Sequence, residues 1–308
     1  MSPKIRKALD VLLRLIVSGG ILAFILWKVN PARVLGEIAS ANIWLLIAGM
    51  MMALGGYCVA GFRWHLFMRA HGIRVSVSDS LWAMFAGLFI GNFMPAGVGV
   101  DVVRGAWIVR KHGDLAKVSA SIVVDRLTGF IILAFTALAA VWVHSEMRIA
   151  VAVLAVLLLL GTILAFTDPF ISFAERTIGR IGWLRMGERV MSFLRAFHFY
   201  GRRPGLLLIT FILALILQII FALIGHLVSG ALGKWPPVWA SLIFVPTVNL
   251  LAMLPVSVSG FGVREGAFLF LFRPFMPDEA CIALSLTYFA VCLVPTTVGI
   301  LPLWTRRK

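Results

Sequence analysis

Three short segments of an otherwise apolar sequence carry charged side chains that could bind or transform a substrate. The side chains are Asp101, Arg104, Asp125, Arg126, Arg264 and Glu265. Asp101 and Arg104 stand three residues apart, and on a helix this spacing places both on one face. The other four form two adjacent pairs. Neighbours on a helix do not face each other, so we expect each of these four to find its partner elsewhere in the fold.

The residue types favour an anion as the ligand. Arginine presents a planar fork of donors that matches phosphate and keeps its charge when desolvated. Helices that begin after a Pro/Gly break also direct free N–H groups at an anion. We therefore expect Arg104, Arg126 and Arg264 to converge on a phosphate-bearing headgroup, with the carboxylates balancing them. Internal salt bridges that hold broken helices in place are the alternative interpretation.

Small and amide residues surround the same segments. Glycine permits unusual dihedral angles and close approach of the backbone to a ligand, and the glycines concerned are Gly97, Gly99, Gly260 and Gly262. Asn92 and Asn249 lie just before the two breaks, where they are placed to hydrogen-bond a ligand or the exposed backbone of a broken helix. Tight turns without ligand contact are the alternative for each glycine.

Signatures of enzymes are scarce. The six histidines form no H-E-x-x-H motif and the three cysteines form no C-x-x-C motif, so a metal site is not expected. No Walker motif, G-x-S-x-G or dinucleotide fingerprint occurs. We predict no catalytic residue and no cofactor, and favour a transporter over an enzyme.

Composition predicts a membrane protein. Of 308 residues, 61% are hydrophobic and 13% are charged, and the mean hydropathy is +1.00, whereas soluble domains have about 25% charged residues. The formal charge of +15 fits a basic membrane face better than nucleic-acid binding. Basic clusters also predict an inner-membrane protein with both termini in the cytoplasm.

The apolar runs predict an all-α polytopic fold with about six full spans. These runs are Leu9–Trp27, Ile43–Phe62, Val118–Val143, Ile149–Phe166, Leu206–Val228 and Cys281–Trp304. Two shorter Gly/Pro-rich segments, 81–109 and 237–275, are expected to be re-entrant hairpins that enter from opposite faces. If these hairpins cross the membrane instead, the fold has about eight spans.

The two hairpins resemble each other in sequence. Met94–Ala106 reads MPAGVGVDVVRGA and Leu254–Ala267 reads LPVSVSGFGVREGA. The two segments are interrupted helices, one in each half of the chain, and they are expected to enter the membrane from opposite faces. This arrangement predicts an inverted repeat with its substrate site near the midplane of the membrane. The expected organisation is a membrane half at 1–167, a basic amphipathic cytoplasmic linker at 168–205 and a second membrane half at 206–308.

Three motifs in order resemble the lysylphosphatidylglycerol synthase transmembrane-region family, also called flippase-like domain proteins. They are GNFMPAGVGVDVVRGAWIVRKHG, ASIVVDRLTGF and LPVSVSGFGVREGAF. The family pattern is matched by three groups of residues: Asp101 with Arg104, Asp125 with Arg126, and Gly260 and Gly262 with Arg264 and Glu265. Ser257 and Ser259 depart from the pattern, which has a denser Pro-Gly-Gly run at this place. The soluble aminoacyl-tRNA-dependent transferase that some members carry is not found in this sequence.

The resemblance implies translocation of a lipid, such as an aminoacylated phospholipid or a polyprenyl-phosphate-linked sugar. The expected partner is therefore an anionic or phosphate-bearing membrane lipid. Two alternatives stay open: a membrane enzyme that modifies a lipid headgroup, with a carboxylate as general base, and a non-transporting partner that anchors a separate lipid or glycan synthase.

Overall fold

The computed structural model describes residues 30–92, 99–140, 199–253 and 260–305, together with residues 149, 153, 156 and 160. All regular structure in these ranges is helical, which confirms the all-α fold class. The predicted span 9–27, most of the span 149–166, residues 168–198 of the linker and Gly97 lie outside the described residues.

Ten α-helices account for the described ranges. In chain order they are α1 (Pro31–Ala39), α2 (Ile43–Ala70), α3 (Val77–Gly91), α4 (Gly99–His112), α5 (Leu115–Ala140), α6 (Pro204–Ala231), α7 (Val238–Ala252), α8 (Val263–Phe272), α9 (Asp278–Leu293) and α10 (Ile300–Thr305). A 3₁₀ turn, Val294–Gly299, joins α9 to α10.

Four stretches are long and apolar enough to cross a membrane. They are α2, Leu115–Thr136 within α5, α6, and Asp278–Pro302. Each coincides with one of the predicted spans, so a polytopic membrane fold is confirmed. The boundaries differ by a few residues, and the largest difference is at the end of α2, which was expected at Phe62 and lies at Ala70.

The Gly/Pro-rich segments form pairs of short helices. α3 has 15 residues and α4 has 14, while α7 has 15 and α8 has 10. Each is shorter than the roughly 20 residues that a full span needs. α3 packs along α4, and α7 packs on α8. Re-entrant insertion of the two hairpins stays a prediction.

The chain divides into two compact units, each assembled from three separate segments. The first unit comprises Met1–Leu54, Asn92–Val98 and Ile219–Thr297, and the second comprises Gly55–Gly91, Gly99–Gln218 and Val298–Lys308. In the second unit, Trp64, Met68, Ile108 and Val118 form a buried apolar cluster that joins α2, α4 and α5.

Two stretches of the chain share one sequence of helix lengths. α2 and α6 each have 28 residues, and α3 and α7 each have 15. The interval from Ile43 to Pro204 is 161 residues, and the interval from Val77 to Val238 is the same. The stretches 43–91 and 204–252 therefore correspond residue by residue, and each ends just before one of the matched sequence segments.

The connecting turns and one side-chain contact repeat at this interval. Gly72 has φ +82° and Gly233 has φ +72°, values that favour glycine. The N–H of each donates to the carbonyl three residues earlier at 3.0 Å. His65 Nδ1 lies 3.1 Å from Ser80 Oγ, and His226 Nδ1 lies 3.3 Å from Ser241 Oγ. Local structure is thus repeated even where most of the side chains differ.

Close contact between α3 and α4 depends on glycine. A Cβ at Gly87 in α3 would lie 2.7 Å from the carbonyl oxygen of Val100 in α4, whereas a Cβ at Gly55 in α2 would meet nothing within 4 Å. Both glycines lie inside helices of the second unit. Replacing each glycine by alanine therefore separates the cost of crowding at the α3–α4 contact from the gain in helix propensity, because both variants share that gain.

We expect Gly87→Ala to destabilise the protein by about 1–3 kcal/mol, because the α3–α4 contact must open. Gly55→Ala is the matched control and should leave stability unchanged or raise it by up to about 1 kcal/mol through helix propensity. Thermal unfolding of the two purified variants in detergent measures the difference. Equal midpoints would contradict the close α3–α4 contact.

Candidate functional site

A buried ion pair lies near the start of α4, one turn into the helix. Arg104 Nη2 lies 2.7 Å from Asp101 Oδ1, as the three-residue spacing predicts. The Arg104 side chain is only 3% exposed, and its guanidinium lies 4.7 Å from the centre of the Trp64 ring. The Arg104 side chain is thus enclosed between α2, α4 and α5.

Asp125 in α5 is shared by two arginines from different helices. Arg63 Nε in α2 donates to Asp125 Oδ1 at 2.8 Å, and Arg104 Nη2 in α4 donates to Asp125 Oδ2 at 3.0 Å. Arg63 Nη2 also donates to the Asp125 carbonyl at 3.2 Å. One buried carboxylate thus holds α2, α4 and α5 together within the second unit.

Arg126 completes this group of charges. Its Nε donates to Asp101 Oδ2 at 2.7 Å, so the adjacent residues Asp125 and Arg126 have separate partners, as predicted. The Arg126 side chain is 34% exposed, whereas that of Arg63 is 10% exposed. We call Arg63, Asp101, Arg104, Asp125 and Arg126 the arginine network; its side chains carry three positive and two negative charges.

A second charged cluster lies in the first unit at the start of α8. Glu265 is fully buried and accepts hydrogen bonds from the Gly262 N–H at 2.6 Å, Arg264 Nη2 at 2.8 Å and Ser285 Oγ at 3.2 Å. The Arg264 guanidinium lies 4.2 Å from the Phe289 ring centre and 5.1 Å from that of Phe261. We call these six residues the Glu265 cluster; its one positive and one negative charge cancel.

The expectation that Arg264 and Glu265 need separate partners was wrong. Glu265 is the third residue of α8, and its carboxylate turns back to the N–H of Gly262, which precedes the helix. In this position the carboxylate is within reach of the long Arg264 side chain. The rule for neighbours on a helix fails here because both groups extend beyond the helix end.

The glycines and asparagines fall into distinct environments. Gly260 and Gly262 have φ +79° and +86°, and a Cβ at Gly260 would lie 2.9 Å from the Ala252 Cβ. Gly99 begins α4.

The two asparagines each bind one side chain. The Asn92 amide donates to Thr296 Oγ1 at 2.9 Å, and the Asn249 amide donates to the Tyr288 hydroxyl at 3.3 Å. Both amides therefore bind side-chain hydroxyl groups.

Sequence reasoning missed Arg63. This residue directly follows the predicted span Ile43–Phe62, so the sequence places it outside the membrane helix. The helix instead continues, and Arg63 is buried against Asp125. An uninterrupted apolar helix around Arg63 was the available signal. Arg104 and Arg126 do share one carboxylate, and the convergence of Arg264 with them stays a prediction.

No group of three or more His, Cys, Asp or Glu side chains is suited to hold a metal ion in the part of the chain that the structure describes. Cys58, Cys281 and Cys292 are free thiols. The arginine network offers guanidinium and carboxylate groups, which bind and orient charge.

Comparisons with known proteins place the chain among membrane proteins. The model of the family described as "Lysylphosphatidylglycerol synthase TM region" matches residues 11–299. The "UPF0104 membrane protein PH1989" of Pyrococcus horikoshii is 24% identical over 183 residues, which cover 55% of this chain and 54% of that protein. The match thus spans about half the length of this relative.

We expect Asp125→Asn to destabilise the protein by about 3–5 kcal/mol, because two buried guanidinium groups lose their shared negative charge. Asp114→Asn is the control: it removes the same charge from an exposed pair with Lys117, whose side chains are 35% and 44% exposed, and should cost at most about 1 kcal/mol. Thermal unfolding followed by tryptophan fluorescence measures both. Similar small shifts would show that the network carries little of the stability.

Proposed function

The chain belongs to the lysylphosphatidylglycerol synthase TM region family, and from this premise we propose that it is a membrane lipid translocase. Its cargo is a lipid with a phosphate-bearing headgroup, such as an aminoacylated phospholipid or a polyprenyl-phosphate-linked sugar. The observation that carries the proposal is the arginine network, in which three arginines and two aspartates meet on helices of a membrane protein.

The charge of the network supports an anionic ligand. An ionisable side chain at membrane depth costs about 2.5–3.5 kcal/mol on insertion scales, and such side chains usually have a function. Asp101 and Asp125 neutralise two of the three guanidinium groups. A phosphate would supply the negative charge that the five side chains lack, and the guanidinium fork matches its oxygens.

The exposure of the network indicates where the headgroup binds. Arg126 is its most exposed member, and Asp101, at 17%, is the more exposed of the two carboxylates. A phosphate that binds Arg126 takes over the hydrogen bond now made to Asp101, which keeps its pairing with Arg104. The exposed end of the network, Asp101 and Arg126, is held in place by the buried side chains of Arg63, Arg104 and Asp125. The acyl or prenyl tails of the lipid stay in the bilayer.

Transport between the two leaflets follows from opposite insertion of the repeated stretches. Arg69 in the last turn of α2 and Arg74 in the turn that follows give this end two arginines. The corresponding residues at the end of α6 are Gly230 and Trp235, and Lys234 is the basic residue of that turn. Because basic turns stay in the cytoplasm, Val77 would face the cytoplasm and Val238 the opposite side of an inner membrane. Inverted repeats of this kind support alternating access.

We expect Arg126→Gln to lower the amount of phosphate-bearing lipid that co-purifies with the protein by about tenfold or more, because a charge-assisted hydrogen bond contributes about 1.5–3 kcal/mol. Arg110→Gln removes the same charge from an exposed position on α4 and should retain the lipid. Mass spectrometry of the bound lipids measures this, and headgroup accessibility in proteoliposomes containing that lipid measures transport. Undiminished transport in Arg63→Gln, Arg104→Gln and Arg126→Gln would disprove the proposal.

Opposite insertion can be tested with two matched cysteines. Val77 and Val238 are the first residues of α3 and α7 and are similarly exposed, at 41% and 47%. In a background with the three native cysteines replaced by serine, Val238→Cys should react with a membrane-impermeant maleimide on intact cells, and Val77→Cys should react only after permeabilisation. Equal labelling of both on intact cells would contradict the inverted repeat.

A further inference from the structure

An open cavity lies beside the turn that joins α2 to α3, apart from the residues of the arginine network. Its volume is about 600 Å³, and it is lined by Arg69, Gly72, Ile73, Arg74, Val75 and Ser76. All six belong to the second unit. Ligand pockets commonly have volumes of about 300–1,000 Å³, so a phosphate-bearing group would fit.

The two arginines of this cavity are available to a ligand. Both are exposed, and within the described ranges neither makes an ion pair. Two lysines of the same unit are paired: Lys111 Nζ lies 2.7 Å from Asp79 Oδ2, and Lys117 Nζ lies 2.6 Å from Asp114 Oδ2. Arg110 and Arg202 are exposed like Arg69 and Arg74 but do not line this cavity. Arg69 and Arg74 therefore present two guanidinium forks without a described carboxylate between them.

Ser76 does not compete for the same ligand. Its hydroxyl donates to Asp79 Oδ2 at 2.9 Å and accepts the Asp79 N–H at 3.0 Å. These two hydrogen bonds cap the first turn of α3 and give the Asp79 carboxylate a hydrogen-bond donor. Among the lining side chains, the charged donors that can bind an anion are those of Arg69 and Arg74.

The turn itself does not need these arginines. The corresponding residues are glycine at position 230, in the last turn of α6, and tryptophan at position 235. The turn after α6 nevertheless reproduces the positive φ at Gly233 and the hydrogen bond of its N–H. The local fold therefore does not require arginine at either of these two positions. Topology requires positive charge in a cytoplasmic loop, but it does not require two unpaired arginines in one cavity.

We propose that this cavity is a phosphate-binding site at the membrane surface, separate from the arginine network. Arg69 and Arg74 bind the phosphate oxygens through charge-assisted hydrogen bonds. The phosphate comes from an anionic lipid headgroup or from solution, and both sources offer the same oxygens to the guanidinium groups. The site goes beyond the proposed function, because it exists whether or not the protein moves a lipid.

The test is a titration of the full chain in detergent with short-chain phosphatidylglycerol, followed by native mass spectrometry, with inorganic phosphate in a parallel arm. Arg69→Gln with Arg74→Gln should weaken phosphatidylglycerol binding about tenfold or more. The control is Arg110→Gln with Arg202→Gln, which removes two exposed charges from the same unit and should bind within about twofold of the parent protein. Arg69→Lys with Arg74→Lys keeps the charge and tests whether the planar forks are needed.

The outcomes distinguish the source of the phosphate. Competition by inorganic phosphate in the parent protein supports a site for the phosphate group alone, and loss of lipid binding without such competition supports a lipid headgroup. Equal binding, or an equal loss, in the test and control pairs would overturn the proposal. The same titration in Arg126→Gln should still show the cavity site, so failure of the arginine network as a transport site leaves this result interpretable.

Discussion

The sharing of Asp125 between Arg63 and Arg104 is the interaction on which the rest of the second unit depends. Burying a carboxylate or a guanidinium without a partner is unfavourable by several kcal/mol, so none of these three side chains is stable at its position without the others. They come from α2, α4 and α5, and those helices can pack only in an arrangement that brings the charges together. Apolar packing around Trp64 fills the space between them.

The same local architecture occurs twice with different chemistry. Helix lengths, turn glycines and a histidine–serine contact repeat at an interval of 161 residues. Arg104 and Glu265 are also separated by this interval, and each binds a side chain of the following helix, Asp125 in one case and Ser285 in the other. An ionisable group thus stands at the same interval in α4 and in α8, and the sign of its charge differs.

The sequence predicts the helical fold well and the ion-pair partners less well. Apolar runs identify the four described spans because an apolar stretch of sufficient length has few other stable structures. The end of α2 was placed too early, since Arg63 was taken as the start of a loop. Its charge is compensated by Asp125, 62 residues later along the chain, and a partner at that distance leaves no local pattern. The direct pairing of Arg264 with Glu265 was missed for a related reason, because it depends on a carboxylate that turns back at a helix end.

The balance of charge explains why the two clusters should differ in function. In the Glu265 cluster, the carboxylate is satisfied by a backbone N–H, a hydroxyl and one guanidinium, and aromatic rings lie beside the Arg264 guanidinium. No charge is left over, so an added anion would give this cluster a net negative charge. In the arginine network, two carboxylates serve three guanidinium groups, and the third reaches a partly exposed position at Arg126. An anion that binds at Arg126 would meet a partly exposed guanidinium group and would not displace a buried side chain. We therefore expect anion binding in the second unit.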